Sequence, residues 1–575
     1  ILLSFNGAEI ISAPIFMKIV MLNINCNYHS PRRGLLFIAG VWLCGGLLWL
    51  LPNQGGSGLA LPQNLLAWCA MALMVLWGSL TERRMKFIYP AGTQLIITGA
   101  ILWSLPLLWS PSSAWQWNAA TKVMALWGLL IVWLELLKSP ITPIIRRHWL
   151  LIMVISAFLQ TIFCLYQLTD MATLPGGRPY GIFQQVNVLA SFLATGTVCA
   201  LWLNTTARQK WVTRFCSLSL VMLPAMLVLL QSRAGYLGAI LGCLLVLVAA
   251  NKTRRHHGYV SLLLMLAGIV LGLVALHVGP RLFPGFAPGV VDKGDSDSQR
   301  WYILQLTWQL IQNHPVIGNG YGSFEALLAQ LAQQATRGLE SKTILYPHNE
   351  FFYTWMEGGL VAVAGVILMI GGMLKRLWSR GGRRWIGLAM LLPIALHMNL
   401  EYPLYQSVTH GLALVILLGI NGPTATPVKN AAQGNMMTFN RIVRVLAAGA
   451  VLIFMATGVV TEVQMTTIEQ HGLAPLARDE STAVGTLLNP WSQHDRLDFD
   501  RHVALLLRFN LTRDPDLLTR FQSWAEHYRK VHNSPDVNFS LMMIYRAQNS
   551  ENAKEICMQS NALWPEDIRF TCVKL

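Results

Sequence analysis

Charge is scarce in this chain. Only 12% of its 575 residues are Asp, Glu, Lys or Arg, about half the share of a typical soluble domain. Hydrophobic residues make up 54%. An ordinary soluble enzyme is excluded by that balance. Acidic residues are scarcer than basic ones, 27 against 43. A nucleotide fingerprint is also missing. Gly318-Asn319-Gly320-Tyr321-Gly322 is too irregular for a P-loop or dinucleotide loop and reads as a turn. Nothing in the chain reads as a Mg²⁺ site or other metal site, and no cofactor is expected.

Lys and Arg are missing from some loops and crowded into others. Loops 51–61 and 109–118 have none, and 169–187 has only Arg178. The intervening loops carry Arg32 and Arg33; Arg83, Arg84 and Lys86; Lys138, Arg146 and Arg147; Arg208, Lys210 and Arg214; Lys252, Arg254 and Arg255; Lys375, Arg376, Arg380, Arg383 and Arg384; then Lys429 and Arg441. This alternation is the positive-inside pattern of a polytopic membrane protein. The net charge of +16 sits in the inward loops. It reads as topology and contact with anionic membrane lipid, not as nucleic-acid binding. The 21 Trp residues suit many membrane interfaces.

Apolar runs at 35–51, 61–80, 91–109, 119–137, 149–168, 188–204, 214–231, 234–250, 259–277, 353–374, 385–400, 406–420 and 442–461 are each near the length a helix needs to cross about 30 Å. The expected fold class is all-α, a polytopic membrane protein of about 12–13 spans. The first run, after Pro31-Arg32-Arg33, lacks a small-residue cleavage site and reads as a retained span. Residues 1–30 receive no role, and Met17 or Met21 is a candidate start. Residues 385–420 are interrupted by Glu401-Tyr402-Pro403, so one span there is expected to be broken.

Three regions are expected: a cytoplasmic segment 1–34, a membrane domain 35–461 and an outer helical domain 462–575. Within the second, 278–352 is one long outer loop, and loops of this length are usually functional. Its start, Pro280 to Gly289, is irregular. Residues 299–313 show an amphipathic helix with Trp301, Leu304, Trp308 and Ile311 on one side, stopped by His314-Pro315. A second helix is expected over 324–337. In the tail, Val503, Leu506 and Leu507, then Phe521, Trp524, Ala525 and Tyr528, take a helical period. Of nine Cys, seven lie in or near membrane segments. Cys557 and Cys572 lie outside, where a disulfide is chemically allowed in an oxidising compartment.

By the charge count, polar residues gather on one side in four clusters: Arg178 to Asn187, Gln231-Ser232-Arg233, Arg300 with His348-Asn349-Glu350, and Glu401 to Gln406. Charge near a membrane is costly and usually paired or functional. Arg178, Arg233 and Arg300 are candidates for a phosphate clamp, because guanidinium forks match phosphate oxygens; for Arg233, snorkelling to lipid headgroups is the competing reading. His348 is a candidate general base near neutral pH, although a His before a span also serves structure. Asn349 and Glu350 are candidates for orienting it or the loop and for binding substrate. Gln184, Gln185 and Asn187 offer neutral hydrogen bonds at the cavity mouth. Tyr402 and Tyr405 can bond a phosphate or sugar hydroxyl, and Tyr180 with Phe183 can pack on a glycan or prenyl chain. His397 and His410, in apolar surroundings, read as packed or helix-bonded. Without ATP, bond-making on this side needs an already activated donor, and a lipid pyrophosphate is one.

The chain resembles the O-antigen ligase superfamily of bacterial inner-membrane glycosyltransferases, and within it the protein O-oligosaccharyltransferases of the pilin glycosylation ligase (PglL) type. The likeness runs over about residues 35–460 and rests on Arg178-Pro-Tyr-Gly-Ile-Phe-Gln-Gln-Val-Asn187, Leu189-Ala190-Ser191, Ser232-Arg233-Ala234-Gly235, His314 to Gly320, His348-Asn349-Glu350 and Glu401 to Tyr405, in that order. It implies an undecaprenyl-diphosphate-linked glycan as donor, no metal, and a site facing the periplasm. The essential loop histidine of the family maps to His348, and the pyrophosphate-holding arginines to Arg178, Arg233 and, less directly, Arg300. A glutamine and a tyrosine are also implicated; Gln184 and Tyr405 are preferred, with Gln185 and Tyr402 the neighbouring alternatives. The implied reaction is displacement at the anomeric carbon by a Ser or Thr hydroxyl of a periplasmic acceptor protein, with inversion. A lipid A-core O-antigen ligase and an O-antigen polymerase share the donor and differ in the acceptor. A lipid-linked glycan transporter is the rival from another class; polar residues gathered on one side and no inverted repeat argue against it.

Overall fold

The computed structural model describes residues 31–82, 86–169, 174, 177–249, 255–282, 290–291, 294–335, 338–339, 343–428 and 434–572. Residues 1–30, Arg83, Arg84, Lys252, Arg254, Lys429 and the run 283–289 lie outside these. The membrane part is built from α1 (Pro31–Cys44), α2 (Pro62–Thr81), α3 (Thr93–Ser104), α4 (Ser113–Leu137), α5 (Pro143–Gln167), α6 (Val186–Thr206), α7 (Lys210–Leu230), α8 (Arg233–Ala249) and α9 (Arg255–His277). After the loop helices α10 (Gly294–Asn313) and α11 (Phe324–Gln334) come α12 (Glu350–Trp378), α13 (Arg384–Met398), α14 (Val408–Asn421) and α15 (Gly434–Gln470). The tail holds α16 (His494–Thr512), α17 (Pro515–Tyr528), α18 (Pro535–Ala547) and α19 (Asn552–Leu563). Among the described residues the only sheet is an antiparallel pair, β1 (Lys86–Ile88) with β2 (Thr426–Val428), which sets Phe87 opposite Pro427.

The protein is an all-α, multi-pass membrane protein. Among the described residues, eight helices are long and apolar enough to cross a bilayer. The other five expected spans fall on the shorter helices α1, α3, α8, α13 and α14, of 14, 12, 17, 15 and 14 residues. Gly and Pro account for several of these breaks. α1 stops before Gly45-Gly46, α3 gives way to a 3-10 turn through Pro106, and Pro403 lies between α13 and α14. Irregular backbone at membrane depth is tolerated where protein or a wet cavity covers it.

Helices in a membrane associate by close packing, because lipid supplies little hydrophobic drive between them. α8 shows the device. A Cβ added at Gly235 would lie 2.6 Å from the Cβ of Ala190 in α6, and one at Gly238 would lie 2.8 Å from the Cα of Pro393 in α13. The basic residues gather at one set of helix ends. There Lys138 and Arg444 reach Glu135 at 2.7 and 2.8 Å, Arg146 donates to the carbonyl of Ile420 and Arg380 to that of Gly422. The clusters 178–187, 230–233, 348–350 and 401–406 sit at the opposite ends of the same helices.

The tail docks on the loop. Ile303, Leu306, Leu310, Phe324 and Leu328 of α10 and α11 share one buried cluster with Phe521, Ala525, Leu541 and Ile556 of the tail. Each such Ile, Leu or Phe side chain contributes about 1.5–3 kcal/mol of burial. Glu325, buried in α11, accepts the Asn533 N–H at 2.6 Å and pairs with His532 Nδ1 at 3.0 Å. Pro at the first helical position of α17 and of α18, after Asp514 and Ser534 caps, starts two of these helices. Cys557 and Cys572 form a disulfide.

Two expected faces are corrected. The packed stripe of α10 is Ile303, Leu306, Leu310 and Ile311, while Trp301 and Trp308 are 65% and 40% exposed. In α16 the buried residues are Leu497, Asp500, Ala504 and Leu505, so Val503 and Leu506 flank the core and Leu507 is exposed. Large aromatics at the edge of a face mimic a core stripe in sequence, because periodicity alone does not distinguish core from interface.

Candidate active site

Each cluster is placed by a helix end. Gln185 caps α6, its side-chain oxygen accepting the Val188 N–H at 2.7 Å. Asn349 caps α12 by accepting the Phe352 N–H at 2.9 Å, and it donates to the Asn399 carbonyl at 3.1 Å. Immediately before that cap, His348 holds a left-handed backbone, φ +60°. Gln184 and Gln231 do the same at φ +56° and +52°. Non-glycine residues in this region carry strain and concentrate at functional sites.

Glu401 joins the clusters. It is 4% exposed. Its Oε1 accepts from Asn187 at 2.6 Å and from Arg300, and its Oε2 accepts from Gln185 at 3.0 Å and meets His397 Nε2 at 3.3 Å. Burial alone would push this carboxyl up. The hydrogen bond and charge of His397, with Arg300 and His348, outweigh it and hold Glu401 down to about 2. Arg178 lies within electrostatic reach of the same carboxylate. Its Nη1 donates to the Leu230 carbonyl at 3.1 Å, which places it on the turn that leads into Arg233. Gln231 Oε1 on that turn accepts the Val291 N–H at 3.0 Å, tying the long loop to it.

A cavity of about 290 Å³ opens beside this hub, lined by Arg300, His348, Tyr402, Thr343, Leu345 and their neighbours. The His348 ring lies 5.1 Å from that of Tyr402. Its Nδ1 is buried without a hydrogen-bond partner among the described residues. Burial holds this imidazole down to about 4, Arg300 adding to the effect and Glu401 opposing it. It is therefore neutral at pH 7 and able to accept a proton. With a guanidinium and a phenol on the same cavity, the arrangement suits deprotonation of a hydroxyl beside an anion.

The remaining residues fall around this centre. Gln185, not Gln184, reaches the carboxylate; Gln184 donates to Asn53 Oδ1 in the 51–61 loop. Tyr402, not Tyr405, lines the cavity. The Tyr405 hydroxyl donates to Glu350 Oε1 at 3.0 Å, and its ring stacks on Tyr346 with centroids 4.5 Å apart. Tyr180 takes its place through its N–H, which donates to Gln167 Oε1 at 3.1 Å. Arg233 begins α8 with an exposed side chain.

Sequence reasoning gave Glu401 no role and left His397 as a packed residue. The His397-Met-Asn-Leu-Glu401 spacing carried the signal, since residues four apart share a helix face. His397 is fully buried, and its Nδ1 lies 2.8 Å from Ser191 Oγ. Ser191 Oγ lies 3.2 Å from His410 Nε2, and His410 Nδ1 lies 2.9 Å from Ser407 Oγ.

Three family models match the chain: O-antigen ligase over residues 218–367, virulence factor membrane-bound polymerase, C-terminal, over 385–572, and protein glycosylation ligase over 179–203. The first covers Arg233, Arg300 and His348, the second Glu401 and the tail, and the third the Gln185 cap with Asn187. No curated protein matches the chain.

Proposed function

We propose that this chain, a member of the O-antigen ligase superfamily close to the protein glycosylation ligases and hence a glycan-transferring enzyme of the membrane, moves a glycan from an undecaprenyl-diphosphate-linked donor to Ser or Thr hydroxyls of periplasmic proteins. The observation that carries the reading is His348, its Nδ1 unpartnered among the described residues, facing the same cavity as Arg300. The prenyl chain stays in the bilayer and the diphosphate meets Arg300, with Arg178, which bonds the Leu230 carbonyl, and Arg233 as further arginines. His348 takes the proton of the acceptor hydroxyl as its oxygen attacks the anomeric carbon. The bond to the diphosphate oxygen breaks with inversion, and the arginines stabilise the charge that grows there. The catalytic side faces the periplasm, opposite the basic rim.

The test is transfer from a lipid-linked donor to a Ser-containing peptide by the purified protein in detergent, with His348→Ala as control. Glycopeptide from the wild type and none from the variant is expected. Donor that stays intact with every peptide overturns the reading. The O-antigen ligase match over 218–367 favours a second reading, lipid A-core as acceptor. A deletion strain that loses lipopolysaccharide ligation and keeps protein glycosylation would select it.

A further inference from the structure

Residues 343–347 run into His348 without helix, turn or bend. Exposure alternates over the first four and stops at Pro347, which is buried. Thr343 and Leu345 are exposed, Ile344 is buried in the loop–tail cluster, and Tyr346 packs into the ring group beneath the cavity. Period-two alternation is the pattern of a strand. Yet among the described residues no backbone N–H or C=O of Thr343, Ile344, Leu345 or Tyr346 is hydrogen-bonded. Main-chain groups that lie against protein are nearly always paired, and an unpaired edge is a template for another chain. Thr343 Oγ1 donates to the Asn533 carbonyl at 3.3 Å, which ties the segment to the tail. Thr343, Ile344 and Leu345 line the cavity that holds His348.

We infer that residues 343–347 are the acceptor-docking edge, and that the acceptor is an extended polypeptide that adds to this segment as a strand. The inference rests on the protein-acceptor reading above and specifies how the acceptor is held. Amide groups repeat at about 3.3 Å along an extended chain, which matches the free groups here; a glycan or lipid A-core offers no such repeat. Main-chain pairing supplies the affinity in recognition of this kind. A peptide paired along the segment is delivered to the imidazole at its end, so its Ser or Thr arrives where His348 can take the proton.

The experiment is an N-methyl scan of a Ser peptide, assayed for glycan transfer by the full chain in detergent with the lipid-linked donor. Methylating an amide deletes one donor and leaves the side chains intact. KM is expected to rise about tenfold at alternate residues on one side of the Ser, with kcat nearly unchanged. Methylation at the residues between should matter less than about twofold. Transfer with a flat or non-alternating scan overturns this inference and leaves the proposed function standing. No transfer to the unmethylated peptide overturns both.

Discussion

Replacing Glu401 by Gln keeps the shape and removes the charge. The structure sets the cost. Oε1 serves Asn187 and Arg300, and Oε2 serves Gln185 and His397. An amide offers one oxygen, so its NH₂ must face one of these donor pairs. On the His397 side the imidazole can change tautomer. Gln185 has no such freedom, because its own oxygen is committed to the Val188 N–H at 2.7 Å. One clash of donors therefore remains, and Arg300 loses its counter-charge. Breaking a buried ion pair costs ~3–5 kcal/mol. The Arg300 side chain is 36% exposed, and solvent reduces the figure to ~2–3 kcal/mol. If that free energy is lost from the catalytic arrangement, transfer slows about 30- to 150-fold. The assay is the initial rate of glycopeptide formation, with melting temperature recorded alongside. Glu401→Gln retaining more than half of the wild-type rate would refute the assignment of Glu401 as the hub.

His348→Ala is expected to lower transfer about 10²–10⁴-fold, the usual worth of a general base, with binding of the lipid-linked donor unchanged in a pull-down. The pH profile of kcat/KM follows from His348 at about 4: a base works when neutral, so the rate should hold as pH falls to about 5 and drop near 4, whereas a half-point near 6.5 counts against His348 as the base. Tyr405→Phe removes the hydroxyl that donates to Glu350 and should destabilise the protein by about 1–3 kcal/mol, read as a lower melting temperature. Gly359 breaks α12 at φ +62°, where a Cβ would meet the Val316 oxygen at 2.2 Å; Gly359→Ala should cost at least about 1–3 kcal/mol in the same measurement.

Hydropathy made the helices legible because a span must be apolar over its whole length, and that signal is local. Loop charge made the sidedness of the clusters legible for a similar reason. The hub was harder to see. Glu401 draws partners from α6 and from the loop helix, at positions 185, 187 and 300, and no local pattern encodes pairings that distant. The choice between Gln184 and Gln185 turned on which one caps α6. The cap is a matter of one residue in register, and a doubled glutamine conceals it. Tyr402 and Tyr405 posed the same problem: the short helix Pro403–Gln406 turns one ring to the cavity and the other to Glu350.

Proton bookkeeping explains how an ionised carboxylate is tolerated so deep. Ser191 has a single hydroxyl hydrogen and two nearby acceptors, the Val188 carbonyl at 3.0 Å and His397 Nδ1 at 2.8 Å. His410 Nε2 lies 3.0 Å from the same carbonyl and, protonated there, satisfies it. Ser191 is then free to donate to His397 Nδ1, which leaves the His397 proton on Nε2, facing Glu401. His410 Nδ1 in turn accepts from Ser407. In this arrangement the hydrogens of Ser191 and His397 both run toward the carboxylate. Glu401 thus collects donors from α6, from α13 and from the loop helix, and its charge is met on all sides. One carboxylate holds the loop that carries Arg300 in register with the membrane helices. The loop's catalytic residues depend on that register, so a defect at Glu401 should appear in the rate before it appears in stability.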